Sequence, residues 1–102
     1  MGELTDAYYY ILLSLIRPKH GYLIMKSVEE MSDGEFSIGP ASLYTSIKKL
    51  LDAEFIELTQ ELEKKKVYVI TEKGIESLKN ELERKRKMVK IAENAFNDRE
   101  ML

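Results

Sequence analysis

Gly39-Pro40-Ala41-Ser42-Leu43-Tyr44-Thr45-Ser46-Ile47-Lys48-Lys49-Leu50-Leu51 decides how the rest of the chain is read. Proline directly after glycine suits the first position of a helix, where its missing N–H would lack a partner anyway. Leu43, Ile47, Leu50 and Leu51 then fall at i, i+4, i+7 and i+8, one side of a helix. Ala41, Ser42, Thr45, Lys48 and Lys49 fall on the other. That second face is short and polar, cationic toward its C-terminal half, and free of bulky apolar groups except the adjacent Tyr44. Small hydroxyls near a helix start can approach base edges in a DNA major groove, and lysines can reach phosphate oxygens. The plainer alternative is an amphipathic helix with a solvated face.

The segments on the C-terminal side of this helix separate the two readings. Phe55 to Gln60 and Lys66 to Thr71 are rich in β-branched and aromatic residues and read as two strands. Glu61 to Lys65 is a charged connection between them. Together they predict a hairpin with Lys64, Lys65 and Lys66 near its tip. Two helices precede the opening stretch, so the order is that of a winged helix-turn-helix. A basic tip stands where a wing would lie over a phosphate backbone. The lysines could instead guard a sheet edge against pairing.

Upstream, Thr5 is a fitting N-cap, with Asp6 in the first turn where negative charge is favoured. Ala7 to Ile16 is apolar nearly all round, with Tyr8, Ile11, Leu12 and Leu15 assigned to the core. Tyr9, Tyr10 and Leu13 need further cover, from a second subunit or from a central buried position. Arg17-Pro18-Lys19 breaks the helix. A second helix opens at His20-Gly21-Tyr22 and runs to about Met31, with Ile24, Val28 and Met31 inward and Leu23 or Met25 at the edges. His20 is expected to cap that helix or pack at the turn. Ser32-Asp33-Gly34 signals a turn, and Glu35 to Ile38 alternates like a very short strand.

The tail begins at Thr71, a fitting N-cap, with Glu72 beside it. Ile75, Leu78, Leu82, Val89, Ala92 and Phe96 recur at alternating steps of three and four, with Lys85 in the gap, as in a heptad seam. Roughly 28 helical residues span about 40 Å, more than so small a domain can cover. The excess seam is expected to pack on another chain, unless its first half covers the domain's own sheet and its end frays. The fold class is therefore mainly α with a small β-hairpin: a winged helix-turn-helix over residues 1–71 and a dimerisation helix over residues 72–102.

Composition narrows the function. The chain has 102 residues, 44% hydrophobic and 33% charged, which suits one soluble globular domain. There are no cysteines and one histidine, so neither a disulfide framework nor a thiolate or multi-histidine metal site within one chain is available. No metal or organic cofactor is expected. Nothing pairs a nucleophile with a base or builds a phosphate-cradling glycine loop, so an enzyme is not expected. The longest apolar run is too short to span a bilayer, and no secretory leader is visible, so the protein is expected in the cytoplasm. Met1-Gly2 starts like a myristoylation signal, but Asp6 stands where Ser or Thr is wanted. The net charge is −2 and the pI about 5.5. DNA binding would therefore rest on a local basic patch, while a protein-interaction adaptor would suit the overall acidity.

These segments resemble the PadR family of transcriptional regulators, in its short-chain branch with a single C-terminal helix. His20-Gly21-Tyr22 is similar to the family's HGY signature. Ile38 to Leu50 is similar to its recognition-helix segment, with Leu43-Tyr44 as its LY. Lys66 to Gly74 is similar to its wing strand and the start of its last helix. Two positions depart: Thr45 stands where proline is frequent, and Glu54 where glycine is usual. The resemblance implies a homodimer that represses transcription from a roughly palindromic operator on double-stranded DNA. With the helix face and hairpin tip read above, the DNA contacts are expected from Ser42, Tyr44, Thr45, Lys48, Lys49, Lys64, Lys65 and Lys66. The dimer interface would draw on Tyr9, Ile75, Leu78, Leu82, Val89, Ala92 and Phe96. A small flat aromatic effector bound between subunits would meet Tyr8, Tyr9 and Phe96.

Overall fold

A computed structural model of the chain describes residues 3–101; Met1 and Gly2, with their acylation-like start, lie outside it. The element order is α1 (Asp6–Ser14), β1 (Lys19–His20), α2 (Gly21–Met31), α3 (Pro40–Asp52), β2 (Ile56–Leu62), β3 (Lys65–Ile70) and α4 (Glu72–Met101). This is a winged helix-turn-helix with a long C-terminal helix. The strands form one antiparallel sheet in the order β1-β3-β2.

The core lies where α1, α2 and α3 meet the sheet. Ile11, Leu12, Leu15, Ile24, Val28, Leu43 and Leu50 are fully buried there, with Ile47, Phe55, Ile56, Tyr68, Ile70 and Leu78 completing it. Thr5 caps α1, accepting from the Tyr8 N–H at 3.2 Å. Lys19 folds back so that its ammonium donates to the Ser14 carbonyl, satisfying an orphan acceptor at the end of α1. Burial, with Arg17 adding to it, holds the Lys19 pKa below the usual lysine range.

Several expectations change. Glu35 to Ile38 is irregular rather than a strand; the Ser32 hydroxyl donates to the Phe36 carbonyl and accepts from its N–H, each at 3.0 Å, holding the segment as a local loop. Met31 and Leu23 are exposed, because α2 presents only the narrower Ile24–Val28 stripe to the core. Tyr10 needs no second subunit: its ring packs on Phe36 with centroids 5.3 Å apart. Tyr9 and Leu13 are also half-buried against the chain's own core. The third strand, β1, was not expected. Two residues carry no readable periodicity, and Lys19 and His20 pair only because Tyr68 and Val67 lie alongside.

The hairpin is tighter than expected. Glu61 and Leu62 are paired with Lys66 and Lys65, so only Glu63 and Lys64 make the turn. Both have positive φ, 48° and 69°, the primed geometry whose twist matches a hairpin. A bulge at Thr59 interrupts the ladder, and the Thr59 hydroxyl donates to the Val67 carbonyl at 3.2 Å.

The corner between α3, β2 and α4 is tied by Thr71. Its N–H donates to the Phe55 carbonyl at 2.9 Å, its hydroxyl donates to the Glu54 carbonyl at 2.7 Å, and the same oxygen accepts from the Gly74 N–H at 3.1 Å. Just before it, α3 ends with the Phe55 N–H on the Leu50 carbonyl and the Glu54 N–H on the Leu51 carbonyl. That is a Schellman closure, which wants glycine at the left-handed position. Here Glu54 occupies it with φ 62°. Its ion pair with Lys73, at 4.0 Å, joins two exposed groups and contributes little. Glu54→Gly is therefore expected to raise stability by about 1 kcal/mol, read as a higher midpoint in thermal or urea unfolding. An unchanged or lower midpoint would mean that Glu54 is not strained.

Along α4, Leu78 is buried in the domain core and Ile75 is half-buried against it. Glu81 is buried where α4 crosses the domain, bonded to Arg84 and Lys85 on its own helix. The Arg84 guanidinium, with Lys85 adding to it, holds the Glu81 carboxyl below its usual pKa although burial opposes this. The Lys85 ammonium lies 5.0 Å from the Tyr9 ring centroid. Beyond Lys85 every described side chain is exposed, Val89, Ile91 and Phe96 among them.

Candidate nucleic-acid interface

The start of α2, Tyr44 of α3 and the β2–β3 hairpin face one another across a groove. On α3, burial of Leu43, Ile47 and Leu50 turns Ala41, Ser42, Thr45, Lys48 and Lys49 outward. Ser46, beside Ile47, is buried on the core side. The Thr45 hydroxyl donates to the Ala41 carbonyl at 3.0 Å. Its proton is thus engaged one turn back, leaving lone pairs and a methyl group outward.

The helix starts differ in a way that bears on charge. α1 and α4 each begin with a threonine cap and an acidic residue in the first turn. α2 and α3 begin at His20 and Gly39, with no side-chain cap and no acidic residue in the first turn. Their leading N–H groups and positive dipole ends stay uncompensated, as an incoming anion would require. His20, expected to cap α2 or pack at its turn, holds the N-cap position by backbone alone while pairing with Val67.

Lys48, Lys49, Lys64, Lys65 and Lys66 are all exposed, and among the described residues none lies in a salt bridge. The basic surface is local: Glu61 stands opposite Lys66 in the hairpin and Glu63 sits in the turn.

Between α3 and the hairpin lies a groove of about 490 Å³, lined by His20, Gly21, Tyr22, Tyr44, Lys64, Lys65, Lys66 and Tyr68. Tyr44 forms one wall. A Cβ added at Gly21 would stand 2.9 Å from the Tyr44 hydroxyl oxygen and 3.3 Å from Cζ, so the ring lies across the bare glycine. Tyr68 lines the groove from β3. Burial, followed by Tyr44 and Glu61, pushes its phenol above the usual tyrosine range and keeps it protonated. The sequence reading placed Tyr44 and the three wing lysines here but missed Tyr68 and the α2 start. Strand alternation carries the signal for Tyr68, which shares a face with Lys66 two residues away.

The seam residues are not all free. Leu78 and Ile75 are occupied within the chain, whereas Leu82, Val89, Ala92 and Phe96 are exposed. Phe96 lies about 16 Å along α4 from Lys85, which covers Tyr9, so Tyr8, Tyr9 and Phe96 do not meet within one chain. Among the described residues no helix is long and apolar enough to cross a membrane, and no cluster of His, Asp or Glu could hold a metal.

The profile of the transcriptional regulator PadR-like family matches residues 11–80. A search of curated proteins returns no match. A transcriptional regulator from Clostridium thermocellum superposes with a TM-score of 0.73 at 22% identity, over 87% of this chain and 90% of that one. F93 from STIV, a winged-helix DNA-binding protein, superposes with a TM-score of 0.69 at 23% identity, over 85% and 96%. At these identities both likenesses speak to the fold alone. Bacillus subtilis PadR, solved in complex with operator DNA, matches with a TM-score of 0.64 at 30% identity, over 76% of this chain and 46% of that one.

Proposed function

This chain belongs to the PadR-like family of transcriptional regulators, and we propose that it acts as a homodimeric, sequence-specific DNA-binding repressor in the cytoplasm. The family is one of regulators, not enzymes. Residues 1–71 form the DNA-binding unit and residues 72–102 the dimerisation helix. Each subunit presents the outer face of α3 to a major groove, with Ser42 and Thr45 toward base edges and Tyr44, Lys48 and Lys49 toward phosphates. Lys64, Lys65 and Lys66 engage the adjoining backbone. One observation carries this reading: in a chain that is acidic overall, Lys64, Lys65 and Lys66 line one groove with the uncapped start of α2 and with Tyr44 of α3, whose outward face also carries Lys48 and Lys49.

Dimerisation supplies the second half-site. The surfaces that remain for it are Leu82, Val89, Ala92 and Phe96 on α4, with the outer part of Tyr9. A small flat aromatic effector would enter between subunits, where Tyr8 and Tyr9 of one chain can approach Phe96 of the other. Its binding would release the DNA by changing how the two chains are set.

Selection of bound sequences from a random DNA pool tests this reading. Enrichment of two inverted half-sites about 34 Å apart is expected. No enrichment at near-physiological salt, with capture of a protein partner instead, would favour the adaptor reading. The phosphate contacts have their own measure. Lys49→Ala is expected to flatten the slope of log affinity against log salt by about 0.9, one released counterion. An unchanged slope would remove Lys49 from the interface.

A further inference from the structure

The groove between α2, α3 and the hairpin holds a group that packing does not explain. Tyr68 is only 6% exposed, yet its hydroxyl finds no hydrogen-bond partner among the described residues. No described buried side-chain oxygen is both sealed from solvent and unpaired, so this hydroxyl opens into the groove that Tyr68 lines. Reaching solvent there, the hydroxyl has water rather than a protein group as its partner and is free to donate to an incoming acceptor. Across the groove stand the first residues of α2, whose N-cap supplies no side-chain bond. Lys66 lies on the Tyr68 face of β3, two residues nearer the tip. The Tyr44 ring, resting on Gly21, closes the side toward α3.

Donors therefore line the groove from two elements, α2 and β3, and the cations beside them have no salt-bridge partners among the described residues. The acceptor that fits is compact, anionic and able to take several hydrogen bonds at once, which describes a tetrahedral phosphate. We propose that this groove is a phosphate seat, in which the Tyr68 hydroxyl and the leading N–H groups of α2 donate to one phosphate while Lys66 neutralises it. With the DNA-binding reading above, on which the choice of source rests, the phosphate is one of the duplex backbone. The seat fixes the distance of the duplex from the hairpin and so the depth at which α3 enters the groove. Tyr68 is then a positioning residue for base readout rather than a reader of bases.

Tyr68→Phe tests the seat, because it keeps the ring in the core and removes only the hydroxyl. Affinity for the selected operator and for random duplex should fall by the same factor, about tenfold, the scale of one hydrogen bond to a charged acceptor. The salt slope should not move, because no cation is lost, whereas Lys66→Gln should flatten it by about 0.9. The melting temperature of Tyr68→Phe should stay level or rise, since the hydroxyl has no partner inside the protein. Unchanged affinity, a loss confined to the operator, or a lowered melting temperature accompanying the loss would each overturn the seat.

A second arm separates the source of the phosphate. Inorganic phosphate is titrated while the Tyr44 and Tyr68 ring resonances are followed by NMR. Saturable shifts that vanish in Tyr68→Phe, in a wild-type protein that binds no DNA, would sink the DNA reading but keep the seat for a free phosphate. No shifts with free phosphate, together with the expected loss on duplex, would assign the seat to the backbone. Neither shifts nor DNA binding would overturn both.

Discussion

Changing Val89 and Phe96 together to aspartate is expected to yield a folded monomer that binds the operator at least about a hundredfold more weakly. The size follows from linkage: two half-sites held by one dimer gain about 10² to 10⁴ over a single one. Phe96 is 65% exposed and Val89 57% exposed, so neither supports the domain of its own chain. In a dimer seam, by contrast, each would be a buried knob, and an aspartate there would have to lose its hydration without a partner. Light scattering should show the mass halved while circular dichroism keeps the helical signal. A dimer that persists would move the subunit contact away from the end of α4, leaving α1 and the Leu82 region to supply it.

The largest effect on stability is expected at Gly74. Alanine in a helix is ordinarily favoured over glycine by about 1 kcal/mol. Here the sign reverses. A Cβ at Gly74 would stand 2.2 Å from the Phe55 carbonyl oxygen and 2.7 Å from Ile70 Cγ1. The carbonyl cannot withdraw freely, because the Thr71 N–H holds it at 2.9 Å. Gly74→Ala should therefore cost about 3 kcal/mol net, at the upper end of overpacking effects, and lower the melting temperature by about 15 °C. Gly39→Ala is the control: nothing lies within 4 Å of its added Cβ, and it should shift the melting temperature by no more than about 3 °C. Equal shifts at the two positions would show that α4 can slide off the α3–β2 corner.

The parts of the fold set by residue spacing were legible in the sequence. Leu43, Ile47 and Leu50 announced both α3 and its outward face, and Thr5 and Thr71 announced two helix starts. The features that stayed hidden depend on contacts between distant segments. Lys19 and His20 are a strand only beside Tyr68 and Val67. Phe36 leaves its loop to meet Tyr10, which α1 alone could not foretell. The hairpin turn hid because Glu63 and Lys64 take positive φ without the Asn-Gly pair that usually marks such a turn. For the candidate interface, the lysines and hydroxyls were readable by type. The phosphate seat was not, because it needs α2, α3 and β3 placed side by side.

The knot at Thr71 makes α4 a lever with its short arm clamped. Because its first turn is bonded to the corner ending α3, rotating the far end of the helix must swing α3 and the hairpin as one block. From Glu72 to Phe96 the arm measures about 36 Å, so a tilt of about 5° displaces one end by about 3 Å, close to one base-pair step of B-DNA. A small wedge pushed between two such levers would thus put their reading heads out of phase with the duplex, while each head kept its own shape.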